Sequence, residues 1–263
     1  MIAKISNKDN AVTLFEKLED YISFYDISWR KRIKPANEES INKILNISQI
    51  NRSQLKLPNV YLEYLKRMGN GDGDLVSYIL HAKTDLDTLY SVYEGKEEYP
   101  FDTIVPNRYI FAFYTDVGVE YYISTTLDGN QNITSENDKR NGMKYFSESF
   151  EKLLFQSAYD IYERKNKKHQ FFFGINRRDL DRMLEKLKIR IDDIFQYLDG
   201  FFGGHGFQKA WFGDEYHYIL EREDLSLWIS RDIAISGYIL GSDKSEVEKY
   251  GHMINMILGT KRQ

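Results

Sequence analysis

Apolar residues recur at three- and four-residue spacing over residues 11–24. There Leu14, Phe15, Leu18 and Ile22 alternate with Glu16, Lys17, Glu19 and Asp20, and the spacing predicts an amphipathic helix. A second helix is expected after Pro35, with Asn37 as its cap, Glu38 and Glu39 at its positive end, and Ile41, Ile44 and Leu45 buried. A third comes after Leu57-Pro58, where Val60, Tyr61, Tyr64, Leu65 and Met68 form one stripe. Gly69-Asn70-Gly71-Asp72-Gly73 then stops it, since such residues readily take positive φ.

Beyond that stop the period shortens towards two. Strands are predicted at residues 75–80, 109–114 and 119–124, the last two flanking a hairpin connection at Thr115-Asp116-Val117-Gly118. Leu127-Asp128-Gly129-Asn130 and Asn141-Gly142 read as further turns, with a short strand at 143–146, which implies a sheet of at least four strands. Residues 78–106 carry no pattern that assigns an element. A helix over 149–162, with Phe150, Leu153, Leu154 and Ala158 on one face, closes this half.

Glu163-Arg164-Lys165-Asn166-Lys167-Lys168 is polar and charged throughout, and reads as a linker or as the solvated end of that helix. After it the pattern begins again. Asn176 can cap a helix through Lys188 with Leu180, Met183, Leu184 and Leu187 inward, and residues 191–198 give another helical stripe. Strand-like runs at 216–221, 225–230 and 235–240 precede a final helix capped by Ser242 that buries Val247, Tyr250, Ile254 and Ile257. The expected organisation is α+β throughout. Residues 1–163 form one domain, and residues 164–263 a smaller one of helices, a three-stranded antiparallel sheet and a C-terminal helix.

Composition narrows the class of protein. Of 263 residues 42% are hydrophobic and 15% aromatic, and only four are proline, so the chain can build a core. The absence of cysteine removes disulfides, thiolate metal sites and a cysteine nucleophile. From Met1 to Asn10 the apolar residues Ile2, Ala3 and Ile5 stand among Lys4, Lys8 and Asp9, which makes no signal-peptide core. No window approaches the roughly 20 apolar residues of a membrane span. A cytoplasmic protein without membrane contact is the expectation. Net charge is −4, but residues 63–128 carry 12 acidic against 5 basic side chains, whereas residues 167–263 balance 15 against 15. An acidic middle disfavours nucleic acid, which is bound by neutralising phosphates, and favours a basic protein partner.

Candidate chemistry is sparse. The five histidines stand in no nucleophile motif, and no catalytic residue is assigned. Gly203-Gly204-His205-Gly206 with Asp214 and His217 is the one cluster that suggests an anion or zinc site, without the spacing of a zinc motif. The run at Gly69 lacks the Lys-Ser/Thr of a phosphate loop, and Asp72, Asp74, Asp85 and Asp87 lack the framing of a calcium-binding EF-hand. No metal and no cofactor is expected.

Trp29, Leu57-Pro58, Tyr61, Tyr64-Leu65 and Gly69-Asn70-Gly71 occur in that order. Phe111, Ala112, Asp116 and Gly118 come next, then Tyr121-Tyr122 and Ser149-Phe150-Glu151 with Leu153-Leu154. This combination resembles the SUKH superfamily, which includes fungal cell-wall-synthesis regulators and many bacterial immunity proteins. The resemblance covers residues 27–159. Departures are the charge- and Tyr-rich residues 78–100, and Val117, where the family often has a second small residue. The resemblance implies helices packed on a twisted, mainly antiparallel sheet that serves as a protein-binding scaffold without catalytic residues. Members are typically encoded beside toxins and neutralise them by direct binding.

Asp72, Asp74, Asp116 and Glu120, in or beside predicted loops, and Tyr114 and Tyr121 are the expected partner-binding residues, with a basic toxin domain as the favoured partner. Tyr121 and Tyr122 point to opposite faces of one strand, so one of them belongs in the core. The rival readings are a regulatory scaffold in cell-wall or envelope synthesis, and an enzyme built around His205, Asp214 and His217.

Overall fold

A computed structural model of the protein describes residues 10–47, 57–98, 108–116, 118–124, 133–136, 143–231 and 234–259. The chain divides into two compact units, Met1–Tyr162 and Glu163–Gln263, and the fold is α+β.

The first unit opens with α1 (Ala11–Tyr25), which starts where the Asn10 side chain accepts the N–H of Thr13, and which buries Leu14, Phe15, Leu18 and Ile22. A 3-10 turn at Trp29–Lys31 leads into β1 (Ile33–Lys34) and α2 (Glu38–Leu45), whose cap is Asn37, accepting from the N–H of Ser40. Next, α3 (Asn59–Met68) buries Tyr61, Tyr64, Leu65 and Met68. The glycine-rich stop does more than end this helix. Gly71–Asp72 forms β2, which pairs antiparallel with β1, while Gly69, at φ −68, ends α3 without leaving the right-handed region.

Two stretches differ from the sequence expectation. Residues 75–80 are not a strand; Val76–Leu80 is the short helix α4. The physical reason is Asp72, whose carboxylate accepts the N–H groups of Asp74 and Leu75 in the turn before α4 and that of Ser77 in its first turn, and so holds the chain in a helical turn. The unassigned stretch holds α5 (Leu86–Glu98), opened by Asp85 accepting the N–H of Thr88.

Strands β3 (Arg108–Tyr114), β4 (Val119–Ser124), β5 (Ile133–Glu136) and β6 (Met143–Ser147) form an antiparallel sheet in chain order. The Thr115–Gly118 turn joins β3 to β4. Val117, Leu127-Asp128-Gly129-Asn130 and Asn141-Gly142 lie outside the described residues. The free edge of β3 is covered by Lys83, whose N–H and C=O exchange hydrogen bonds with Phe113 at 2.8 and 2.9 Å. Helix α6 (Phe150–Ala158), capped by Ser149, continues as a π-helix over Tyr159–Arg164.

The core of this unit is aromatic. Tyr61 packs against Tyr64, Tyr109, Phe111 and Phe150, with centroids 5.0–6.4 Å apart. Tyr93 of α5 lies 5.7 Å from Tyr109 and accepts the N–H of Ile110 at 2.7 Å. Burying each such side chain contributes roughly 1.5–3 kcal/mol.

The second unit is a five-stranded antiparallel sheet in the order β7-β11-β10-β9-β8, wider than the expected three strands. The additions are β7 (His169–Ile175), beginning at the end of the charged run, and β8 (Gln208–Lys209). Both escape period-two reading, the first because Phe171-Phe172-Phe173 is a continuous apolar run, the second because it is only two residues long. Strands β9 (His217–Glu221), β10 (Leu225–Arg231) and β11 (Ile235–Gly241) complete the sheet.

Helices α7 (Arg177–Leu187), α8 (Ile191–Gly203) and α9 (Lys244–Ile257) share one core with Phe173, Leu220, Leu227, Ile229 and Ile239. Leu187, expected inward, is 55% exposed at the last position of α7. The cap of α9 is Asp243, not Ser242, its carboxylate taking the N–H groups of Ser245 and Glu246.

Candidate functional site

The first unit has a cleft of about 650 Å³ whose walls come from four segments. One wall is Arg32, at the end of the 3-10 turn, and Lys34 of β1. The floor runs from Asn70 through Asp74, the opposite lip runs from Ser77 to Asp87, and Tyr114-Thr115-Asp116 close the end.

Local chemistry fixes this shape. The buried Asp72 carboxylate binds the hydroxyl and N–H of Ser77 at 2.5 and 2.8 Å, the N–H of Asp74 at 3.1 Å and that of Leu75 at 3.3 Å. It also accepts a 3.4 Å hydrogen bond from Tyr64. Gly73 and Asp74 both take left-handed φ, at 65° and 64°. At Gly73 a Cβ would lie 2.5 Å from Nε1 of the fully buried Trp29, so glycine is required there by conformation and by space. His81 ends α4 in the left-handed region, at φ 51°, and turns the chain towards Lys83.

The walls carry both signs of charge. Arg32 donates to Asp26 at 2.8 Å, to Ser28 at 3.0 Å and to the Gly73 carbonyl at 3.5 Å, and lies 3.9 Å from Asp74. Hydrogen bonding from Ser28, and then from Arg32, holds the Asp26 carboxyl below the usual carboxylate range. Burial, reinforced by the nearby Asp72 charge, pushes the Tyr64 hydroxyl well above an ordinary tyrosine. Among the described residues no cation pairs with Asp87 or Asp116, both of which are exposed.

Of the six residues expected to meet a partner, Asp72, Asp74, Tyr114 and Asp116 line this one cleft. Two of the six need correction. Asp72 is only 3% exposed and organises the wall from inside, and Glu120 is 7% exposed and accepts the Tyr122 hydroxyl. Polar residues near a turn were read as surface because sequence does not distinguish a solvated carboxylate from one consumed by local N–H groups. Tyr122 is the core member of its pair. Tyr121 is half-buried, lies outside the cleft lining, and donates to the Leu80 carbonyl at 3.1 Å, tying β4 to the end of α4.

Sequence reasoning missed Arg32, Tyr78, His81 and Lys83 as lining residues. A signal was present in Asp85-x-x-Thr88, the spacing of a side chain that caps a helix.

In the second unit His205, Asp214 and His217 do not converge. His205 stacks on Phe201 at 4.7 Å and meets Tyr250. The Asp214 side chain, itself inaccessible, accepts the N–H groups of Tyr216 and His217, 3.6 Å from the His217 ring nitrogen. A smaller cavity of about 240 Å³ there is crossed by Asp199, which accepts from Tyr218 at 2.5 Å and Lys209 at 2.7 Å. Burial, then the Asp199 bond, pushes the Tyr218 hydroxyl far above its ordinary range.

Among the described residues no group of three or more His, Asp or Glu could hold a metal ion, and no helix is long and apolar enough to cross a membrane. No family model, curated protein or solved structure matches the chain.

Proposed function

We propose that this protein acts by binding another protein and catalyses no reaction itself, as an immunity or antitoxin-type protein of SUKH-like build. It neutralises a toxin in the cytoplasm by occluding it at fixed stoichiometry. The observation that carries the reading is the cleft. Its rim presents Asp74, Tyr78, Asp87 and Asp116 from segments fixed by β-pairing, by the Asp72 hydrogen bonds and by the Lys83–Phe113 bridge. Such preorganisation suits recognition, because little conformational entropy is then lost on docking. The order of motifs over residues 27–159 points the same way.

The test is a pull-down of the full chain from its native cell, read by mass spectrometry and stoichiometry, beside Thr115→Trp. This substitution puts a large side chain at an exposed position on the cleft rim. One dominant partner at a fixed ratio is expected, with toxicity that the wild type abolishes and the folded variant does not. Several partners, none, or full neutralisation by the variant would overturn the reading.

A further inference from the structure

We infer that β7 of the second unit is an interface between two copies of this chain, pairing antiparallel with β7 of a second copy about a two-fold axis at Phe172. The inference stands apart from the reading of the first unit. Strand β7 lies at one edge of its sheet, and its residues from His169 to Ile175 pair with β11 in unbroken register. Among the described residues its backbone bonds to nothing else, so the other edge presents N–H and C=O groups without a partner in the chain.

Folded sheets ordinarily guard such an edge by brevity, cover, charge, proline or a bulge. The chain does so elsewhere: β8, the opposite edge of the same sheet, is only two residues long, and the edge of β3 is covered by Lys83. Strand β7 is long and regular, and holds no Lys, Arg, Asp, Glu or Pro. At its centre Phe172 is 60% exposed on the face opposite the core, beside its cross-strand neighbour Tyr238 at 5.3 Å.

An open edge takes an extended strand, and self-complementarity selects a second copy. A two-fold axis at Phe172 gives the one register that pairs the whole of β7 with the whole of its copy. It sets His169 against Ile175, Gln170 against Gly174 and Phe172 against itself. Alternation keeps each side chain on its own face, so Phe171 meets Phe173 on the core side, while two Phe172 rings meet between two Tyr238 rings on the other. Beyond the strand this register brings Lys167 towards Arg177, but each is already neutralised within its own chain, Lys167 by Glu163 at 3.0 Å and Arg177 by Asp181 at 2.8 Å. One such strand pair, about 24 Å long, falls below the roughly 1,200 Å² of stable interfaces, so the dimer should dissociate on dilution with a Kd on the order of 10–100 µM.

The test is sedimentation velocity of the full chain from about 1 to about 300 µM, where a concentration-dependent dimer is expected. Phe172→Lys and Phe172→Glu change an exposed side chain and set like charges face to face across the axis, so each should weaken the dimer at least tenfold while keeping the wild-type circular dichroism. An equimolar mixture of the two should dimerise again, and Phe172→Tyr, which keeps the ring, should dimerise as the wild type does. Hydrogen exchange of the wild type, which needs no variant to fold, should show β7 amides gaining protection at the higher concentration. A chain that stays monomeric throughout, a dimer that both charged variants leave intact, a mixture that fails to associate, or protection gained only outside β7 would overturn the inference.

Discussion

Asp72→Ala removes one carboxylate and leaves five donors without their acceptor: three backbone N–H groups and the hydroxyls of Ser77 and Tyr64. The two longest bonds, at 3.3 and 3.4 Å, contribute little. The three shorter ones, each worth about 1 kcal/mol or more because the acceptor is charged, bring the loss to about 3–4 kcal/mol. Against a domain stability of roughly 5–15 kcal/mol that is a large fraction. For a unit of this size it corresponds to a melting temperature lower by about 10 °C. Asp72→Asn keeps one acceptor and sets an amide against the remaining donors, so about half the loss is expected.

The assay is urea denaturation followed by Trp29 fluorescence in a Trp211→Phe/Trp228→Phe background, which reports the first unit alone. Hydrogen exchange at the Leu75 and Ser77 amides should accelerate in step. A loss below about 1 kcal/mol with undiminished protection of α4 would refute the reasoning. It would also restore Asp72 to the surface role that its position beside a glycine suggests.

Two further outcomes concern single positions. Gly73→Ala should cost about 3 kcal/mol or more by thermal denaturation, because it combines left-handed strain with a 2.5 Å approach to Trp29, while Gly118→Ala, at φ 68 in open space, should cost only about 1 kcal/mol. Glu221 has a buried, unpartnered Oε2, and burial raises its carboxyl above the usual range. Its charge therefore opposes folding above the folded-state pKa, and the penalty is relieved as pH falls through that value. Glu221→Gln should accordingly be more stable than wild type at pH 7 and indistinguishable from it near pH 4 in parallel urea titrations.

Where the sequence was readable, one physical pattern dominated its segment. In α1 and α3 a single apolar stripe and a sharp boundary leave little competition, and Asn37 and Asn176 cap as expected because no neighbouring side chain offers a better acceptor. Residues 75–80 failed because six residues with four apolar positions fit either period, and the deciding carboxylate lies outside the segment. Helix α5 stayed hidden because Asp87, Tyr90, Tyr93 and Glu94 blur its faces, although Leu86, Leu89 and Tyr93 are buried. At α9 two good caps are adjacent, and Asp243 prevails by reaching two N–H groups. The cleft was half legible. Its acidic residues advertise themselves, whereas Arg32 and Lys34 come to it only through the β1–β2 pairing, which brings together residues nearly forty positions apart.

The strand order of the second unit has a consequence for synthesis. Strand β7 leads that unit out of the ribosome, yet its sole neighbour in the sheet is β11, whose first residue, Ile235, comes 60 positions after Ile175. At about 5–20 residues per second that separation amounts to roughly 3–12 s. During that interval Gln170-Phe171-Phe172-Phe173 waits with both edges open and three aromatic rings uncovered, the kind of segment that recruits a second copy of itself. The charged run from Glu163 to Lys168 immediately ahead of it then acts as a gatekeeper, and neutralising Lys168, with Lys167 kept because it pairs with the buried Glu163 at 3.0 Å, should show as more insoluble nascent protein.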